Sequence, residues 1–163
     1  MRFRGLLAFV LCAGVAAAAA AQTKISGQLQ CGKPDEIHSI DVGDRANHAM
    51  SVSKLSCTWS KPMDIGGSAT KDGASVATSE RSGSKSWEKG SHVGATADGD
   101  KFFVRYQGAA TLKDGKPESI SGTWTFVGGT GKHKTLKGKG TYKSASMDAD
   151  GNITFDVEGE YTQ

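Results

Sequence analysis

KFFVRYQGAATLKDGKPESISGTWTF, residues 101–126, decides how the rest of the chain is read. Phe102, Val104, Tyr106, Gly108, Ala110 and Leu112 alternate with Phe103, Arg105, Gln107, Ala109 and Thr111. Successive side chains of a strand point to opposite faces, so period two marks a strand with one apolar and one mixed face. Lys113-Asp114-Gly115-Lys116 follows, and Asp-Gly tolerates the positive φ angles of a tight hairpin turn. The return run sets Ile120, Gly122, Trp124 and Phe126 on one face, with Ser121, Thr123 and Thr125 on the other. Two long antiparallel strands are therefore expected here.

The same pattern spreads outward. Gly140 to Met147, the turn Asp148-Ala149-Asp150-Gly151, and Ile153, Phe155, Val157, Gly159 and Tyr161 at period two form a second hairpin. Near the other end Ile25, Gly27, Leu29 and Cys31 alternate. Met50 and Val52 share one phase and Leu55, Cys57 and Trp59 the other, which predicts a bulge near Ser53. Ser75–Arg81 and Ser86–Ala95 read as polar strands anchored by Val76 and Trp87, and 62–73 and 97–100 as loops. No stretch of residues 22–163 shows a helical period. The 22 glycines of the 163 residues are about twice the ~7% average usage, and strand glycines mark bends and close approaches. About eight strands with short turns predict an all-β, single antiparallel eight-stranded barrel, closure being the usual way to remove sheet edges. An open sandwich is the alternative.

Residues 1–21 read as a signal peptide: Arg2 and Arg4, an apolar run from Leu6 to Val15, then alanines to a cleavage point after Ala21. The run is short for a bilayer, which takes roughly 20 apolar residues, so no stable membrane insertion is expected. Residues 22–163 are then one exported domain, periplasmic or secreted. The 20 Lys and Arg against 17 Asp and Glu lose Arg2 and Arg4 with the leader. The near-neutral remainder gives no case for nucleic acid. Cys31 and Cys57 survive cleavage, and an even count in an oxidising compartment predicts a disulfide.

GTWTFVGGTGKHKTLKGKGTY, residues 122–142, resembles the signature of the allene oxide cyclase and dirigent-like barrels. There a strand ends in a Gly-Gly-Thr-Gly loop, a short helical turn packs an aromatic and an aliphatic residue, and a glycine leads into the next strand. Gly128, Gly129, Thr130, Gly131, Leu136 and Gly138 match, and His133 stands where the pattern has Phe. The resemblance implies a barrel with a helical turn near 132–137 plugging one end, and use of the lumen. It carries over no catalytic residue. Relatives of this type often form oligomers through outer barrel faces, although no decisive outward apolar stripe is visible here.

Gly128–Gly131 lacks the Lys-Ser/Thr and the long helix of a phosphate loop. Asp148–Asn152 lacks the sixth-position Gly and twelfth-position acid of a calcium loop. His38, His48, His92 and His133 have no metal-ligand spacing, so neither a metal nor a cofactor is expected. Lys132, Lys134, Lys137, Lys139 and Lys143 make a basic strip that serves either as a solvated edge or as a dock for an acidic partner. The lumen candidates are Trp59, Trp87, Phe102, Tyr106, Trp124, Phe126 and Tyr161. In a small barrel such residues either fill the interior or line room for one small apolar ligand. Three functions stay open: a binding barrel, a cyclase or coupling guide acting in the lumen, and a surface-acting envelope protein.

Overall fold

A computed structural model describes residues 22–144 and 147–163. Residues 1–21, where a signal peptide and its cleavage point are expected, lie outside the described residues. Ten strands follow one another: β1 (Thr23–Cys31), β2 (Glu36–Asp41), β3 (His48–Lys61), β4 (Asp64–Ile65), β5 (Ser68–Ser82), β6 (Lys85–Thr96), β7 (Lys101–Lys113), β8 (Lys116–Gly129), β9 (Lys137–Ser144) and β10 (Ile153–Thr162). A 3-10 turn, Gly131–His133, interrupts them between β8 and β9. Among the described residues no helix is long and apolar enough to cross a membrane.

Eight strands close a barrel. Around its wall the order is β1, β10, β9, β8, β7, β6, β5, β3, and β3 pairs antiparallel with both β5 and β1 to seal it. The β1–β3 seam is short, holding only Gln28–Cys31 against Cys57–Lys61. Cys31 and Cys57 are opposite one another there and form a disulfide. The hairpin turn between β7 and β8 uses positive φ at Asp114 (51°) and Gly115 (77°), as its Asp-Gly pair demands.

The strands differ in reach. β1 and β10 end together at Cys31 and Ile153, whereas β3, β5, β6, β7 and β8 run on past them as a lip. The short β2 continues the wall along the first half of β3, from Glu36 opposite Lys54 to Asp41 opposite Ala49. Nothing in its sequence stands out, because all six of its residues are exposed. The end away from the lip is packed solid: Phe102, Phe126, Ile65, Leu136 and His133 are each at most 1% exposed. Burying one such aromatic or aliphatic side chain stabilises the fold by roughly 1.5–3 kcal/mol. The 3-10 turn delivers His133 to that plug, and Leu136 follows it there.

Four local expectations are corrected. The β3 ladder runs without a break past Ser53; Met50 and Val52 share a phase because both point outward, at 57% and 48% exposure. Register shifts fall instead at Gln28/Leu29, Thr70/Gly73, Phe103/Val104 and Thr111/Leu112. Val76 and Trp87 are not interior anchors, being 49% and 51% exposed. The stretch 62–73 contains β4 and the start of β5, joined by Gly66 and Gly67 at positive φ. Finally, an outward apolar stripe does exist but is broken by an acid: Ile40 stands opposite Met50 and Trp87 opposite Ala109, with Glu80 between Met50 and Trp87.

Candidate functional site in the barrel lumen

Between the plug and the lip the barrel encloses a cavity of about 150 Å³. Its walls come from the inward phase of nearly every barrel strand, and Trp59, Phe102, Tyr106, Trp124 and Phe126 all line it. Phe102 and Phe126 form its floor, edge to face at 5.9 Å, and Trp124 meets Phe126 edge-on at 4.8 Å. Toward the lip the lining is half-buried, with Leu29, Leu55 and Phe155. Two of the seven candidates are elsewhere. Tyr161 is buried outside the cavity, where its hydroxyl accepts a hydrogen bond from Gly66 N at 2.9 Å and ties β10 to the β4–β5 turn. Trp87 lies on the outer wall, so its assignment to the lumen is corrected.

The polar members of the lining are Glu88, His92 and Ser75, with the hydroxyl groups of Tyr106 and Tyr142. Glu88, His92 and Ser75 escape a reading by hydrophobicity, because Trp87 and Val76, the large apolar residues of their strands, occupy the opposite phase. A signal was present: Gly90 and Gly94 share the phase of Glu88 and His92, as Gly108 shares that of Tyr106. These inward glycines hold aromatic rings. A Cβ on Gly90 would lie 2.6 Å from the Tyr106 hydroxyl, and one on Gly94 would lie 2.1 Å from the Phe102 ring. Glycine therefore marks the lumen face even where the outward neighbour is the larger residue.

Tyr142 donates a hydrogen bond to Glu88 at 3.0 Å. Burial raises the Glu88 carboxyl above its ordinary value, and the Tyr142 hydrogen bond opposes this only in part. The Tyr106 hydroxyl is pushed up to about 12 by burial and then by the charge of Glu88. Tyr142 is raised by the same two causes in the same order. His92 pairs through Nδ1 with Ser75 Oγ at 2.9 Å, and burial depresses it to about 4, so the ring is neutral. Its Nε2 and the Trp59 Nε1 have no protein partner. One wall of an aromatic cavity thus carries a carboxyl of raised pKa beside two phenols and a neutral imidazole.

Outside the lumen, the donor atoms of Asp98, Asp100 and His133 come within 4.8 Å of one another beside the plug. Asp98 is already held by Lys132 Nζ at 2.5 Å and Thr96 Oγ1 at 2.6 Å. Asp100 accepts from the Lys132 backbone N at 3.1 Å and from Thr130 Oγ1 at 3.3 Å. These contacts anchor the Gly128–Gly131 loop to the β6–β7 turn. The lysine strip is interleaved with acids, Lys139 standing opposite Glu160 and Lys143 opposite Asp156 on β10.

The chain matches no protein-family model and no curated protein. Its fold is similar to the crystal structure of a conserved protein of unknown function from Rhodopseudomonas palustris. That match has TM-score 0.51 and 11% sequence identity, and covers 87% of this chain and 99% of the other. Pyocyanin demethylase is also similar, with TM-score 0.43 and 13% identity over 82% of this chain and 98% of that one. At 11% identity the likeness to the Rhodopseudomonas palustris protein is one of fold alone.

Proposed function

We propose that this chain is an exported, non-enzymatic β-barrel that binds one small apolar or aromatic molecule in its lumen. The observation that carries the proposal is the cavity of about 150 Å³ left inside an otherwise closely packed aromatic interior. An apolar cavity of that size accommodates a benzene-sized guest, whereas drug-sized ligands occupy roughly 300–1,000 Å³. The ligand class is therefore a single ring or its equivalent. Export is supported by the basic, apolar and alanine-rich order of residues 1–21 and by the Cys31–Cys57 disulfide, a bond that persists in oxidising compartments. The Gly128–Gly138 segment supports kinship with the allene oxide cyclase and dirigent-like barrels.

The test is native mass spectrometry and ligand-detected NMR with toluene and benzyl alcohol, run on the wild type and on Val104→Trp, which fills the lumen. Saturable binding to the wild type alone is expected. Absence of binding by any single-ring probe sinks the proposal.

Acid–base turnover of the bound molecule is a second reading, favoured by the Glu88 carboxyl beside the Tyr142 and Tyr106 hydroxyls. A base of raised pKa next to phenol donors is what enolisation of a ketone requires. Conversion of 3-cyclohexenone to 2-cyclohexenone above the buffer rate, lost in Glu88→Gln, supports this reading. A buffer-level rate removes it.

A further inference from the structure

Glu88 is the one formally charged side chain of the cavity lining, since His92 is neutral. It sits on β6 opposite Ser79 and Gly108, and among the described residues no ion pair reaches it; its hydrogen-bond partner is Tyr142. Every lysine in the described residues is exposed. Arg81 is the nearest candidate cation by register, on the same face of β5 two residues beyond Ser79 toward the lip. No ion pair joins it to Glu88 among the described residues; burial raises the Glu88 carboxyl and the Tyr142 hydrogen bond lowers it. A half-buried carboxylate without a cationic partner is costly to keep charged, and among the described residues none forms an ion pair with it.

The groups around it fit a cation. The Tyr106 and Tyr142 rings meet edge to face at 6.1 Å, and Tyr142 meets Phe155 the same way at 5.7 Å. Trp59 and Trp124 close the cavity behind them. Aromatic faces attract an ammonium group through their quadrupole, and the attraction grows when the site is dry. Tyr142 covers one carboxylate oxygen of Glu88 and leaves the second free to accept.

We propose that the lumen ligand is a small organic ammonium ion, a primary amine on a single ring or short apolar body, with Glu88 as its counter-ion inside an aromatic cage. This deepens the binding reading above and rests on it. Such a ligand satisfies both halves of the cavity: its body occupies the Phe102, Phe126 and Trp124 floor, and its head donates to Glu88. A neutral alcohol of the same size reaches the floor but leaves the carboxyl without a cation. A carboxylate ligand meets a like charge.

The experiment compares benzylamine, benzyl alcohol and benzoate by calorimetry at neutral pH on the full-length protein and on Glu88→Gln. Benzylamine is expected to bind about tenfold or more tighter than benzyl alcohol, the increment of one charged hydrogen bond, and benzoate weakest. In Glu88→Gln, whose folding is checked by its urea midpoint, benzyl alcohol binding persists and the amine preference vanishes. Equal wild-type affinities for amine and alcohol overturn this proposal and leave the binding reading standing, as does a preference that survives in Glu88→Gln. Binding of none of the three overturns both. The wild-type ratio decides by itself where the glutamine variant does not fold.

Discussion

The hydroxyl of Tyr142 reaches Glu88 across two intervening strands. Tyr142 stands on β9 opposite Gly122, Gly122 stands opposite Gly108 on β7, and Gly108 stands opposite Glu88 on β6. The side chain lies flat over both glycines: a Cβ on Gly108 would come within 2.3 Å of the hydroxyl, and one on Gly122 within 2.4 Å of the ring. Two missing methyl groups thus create the slot that joins the aromatic wall to the half-buried carboxyl. Gly108→Ala is expected to destabilise the protein by about 1–3 kcal/mol, the usual cost of overpacking. In a Tyr142→Phe background the same substitution should cost measurably less, because the clashing oxygen is gone. A urea-unfolding double-mutant cycle checks this; additive losses would mean that glycine at 108 is required for some reason other than Tyr142.

The disulfide closes the weakest seam. β1 and β3 share a short ladder, and Cys31 and Cys57 pin its end beside the cavity. Cross-linking across the 26-residue separation stabilises by roughly 3–4 kcal/mol on the chain-entropy model. Cys31→Ala/Cys57→Ala is expected to lose stability of about that size, and reduction of the wild type to match it. Guanidinium unfolding with and without reductant measures both. A loss under about 1 kcal/mol would show that the β1–β10 ladder holds the seam without the bond.

Two histidines should titrate with opposite effects on stability. His48 lies between Asp44 and Glu80, bonded to Glu80 at 2.9 Å, and these hydrogen bonds, Asp44 first, raise its pKa. A raised value means stability fully present below the unfolded pKa of ~6.5 and lost as pH climbs through the higher folded value. His92 is depressed by burial to about 4. Its contribution is present above ~6.5 and lost as pH falls toward that value, by roughly 3 kcal/mol. Melting temperatures from pH 4 to 9 should therefore flatten on the alkaline side in His48→Gln and on the acid side in His92→Gln. If both variants parallel the wild type, neither environment is as described.

Strand number, closure, both C-terminal hairpins, the disulfide and the plug segment were legible, because period two with glycine turns is a strong local pattern over 101–126 and 137–161. The walls between residues 48 and 95 were harder to read. Their inward side chains are mostly Ser, Ala and Gly, such as Ser51, Ser53, Ser75, Ala77 and Gly90, while Met50, Val52, Val76 and Trp87 face water. There hydrophobicity points the wrong way: large rings from β7, β8 and β9 fill the space, and the facing strands must be small. β2 was illegible for a related reason, since an accessory strand that buries no side chain needs no pattern. Glu88 was lost with the phase of its strand.

The contrast between Trp87 and Trp124 tests that inverted wall most directly. Trp124 is 5% exposed, packs on Phe126 and covers Gly140 and Gly159, which a Cβ would bring within 2.5 Å and 2.4 Å of its ring. Its indole N–H donates to the Thr141 carbonyl at 3.2 Å. Trp87 is 51% exposed on the outer stripe. Trp124→Ala should therefore cost about 3–5 kcal/mol, whereas Trp87→Ser should stay within about 0.5 kcal/mol, as surface changes do. Fluorescence separates them without unfolding: acrylamide should lose most of its quenching in the Trp87→Ser protein, and toluene should still alter the emission that remains. If Trp87→Ser proves as damaging as Trp124→Ala, the outward phase of β6 is wrong, and Glu88 leaves the lumen with it.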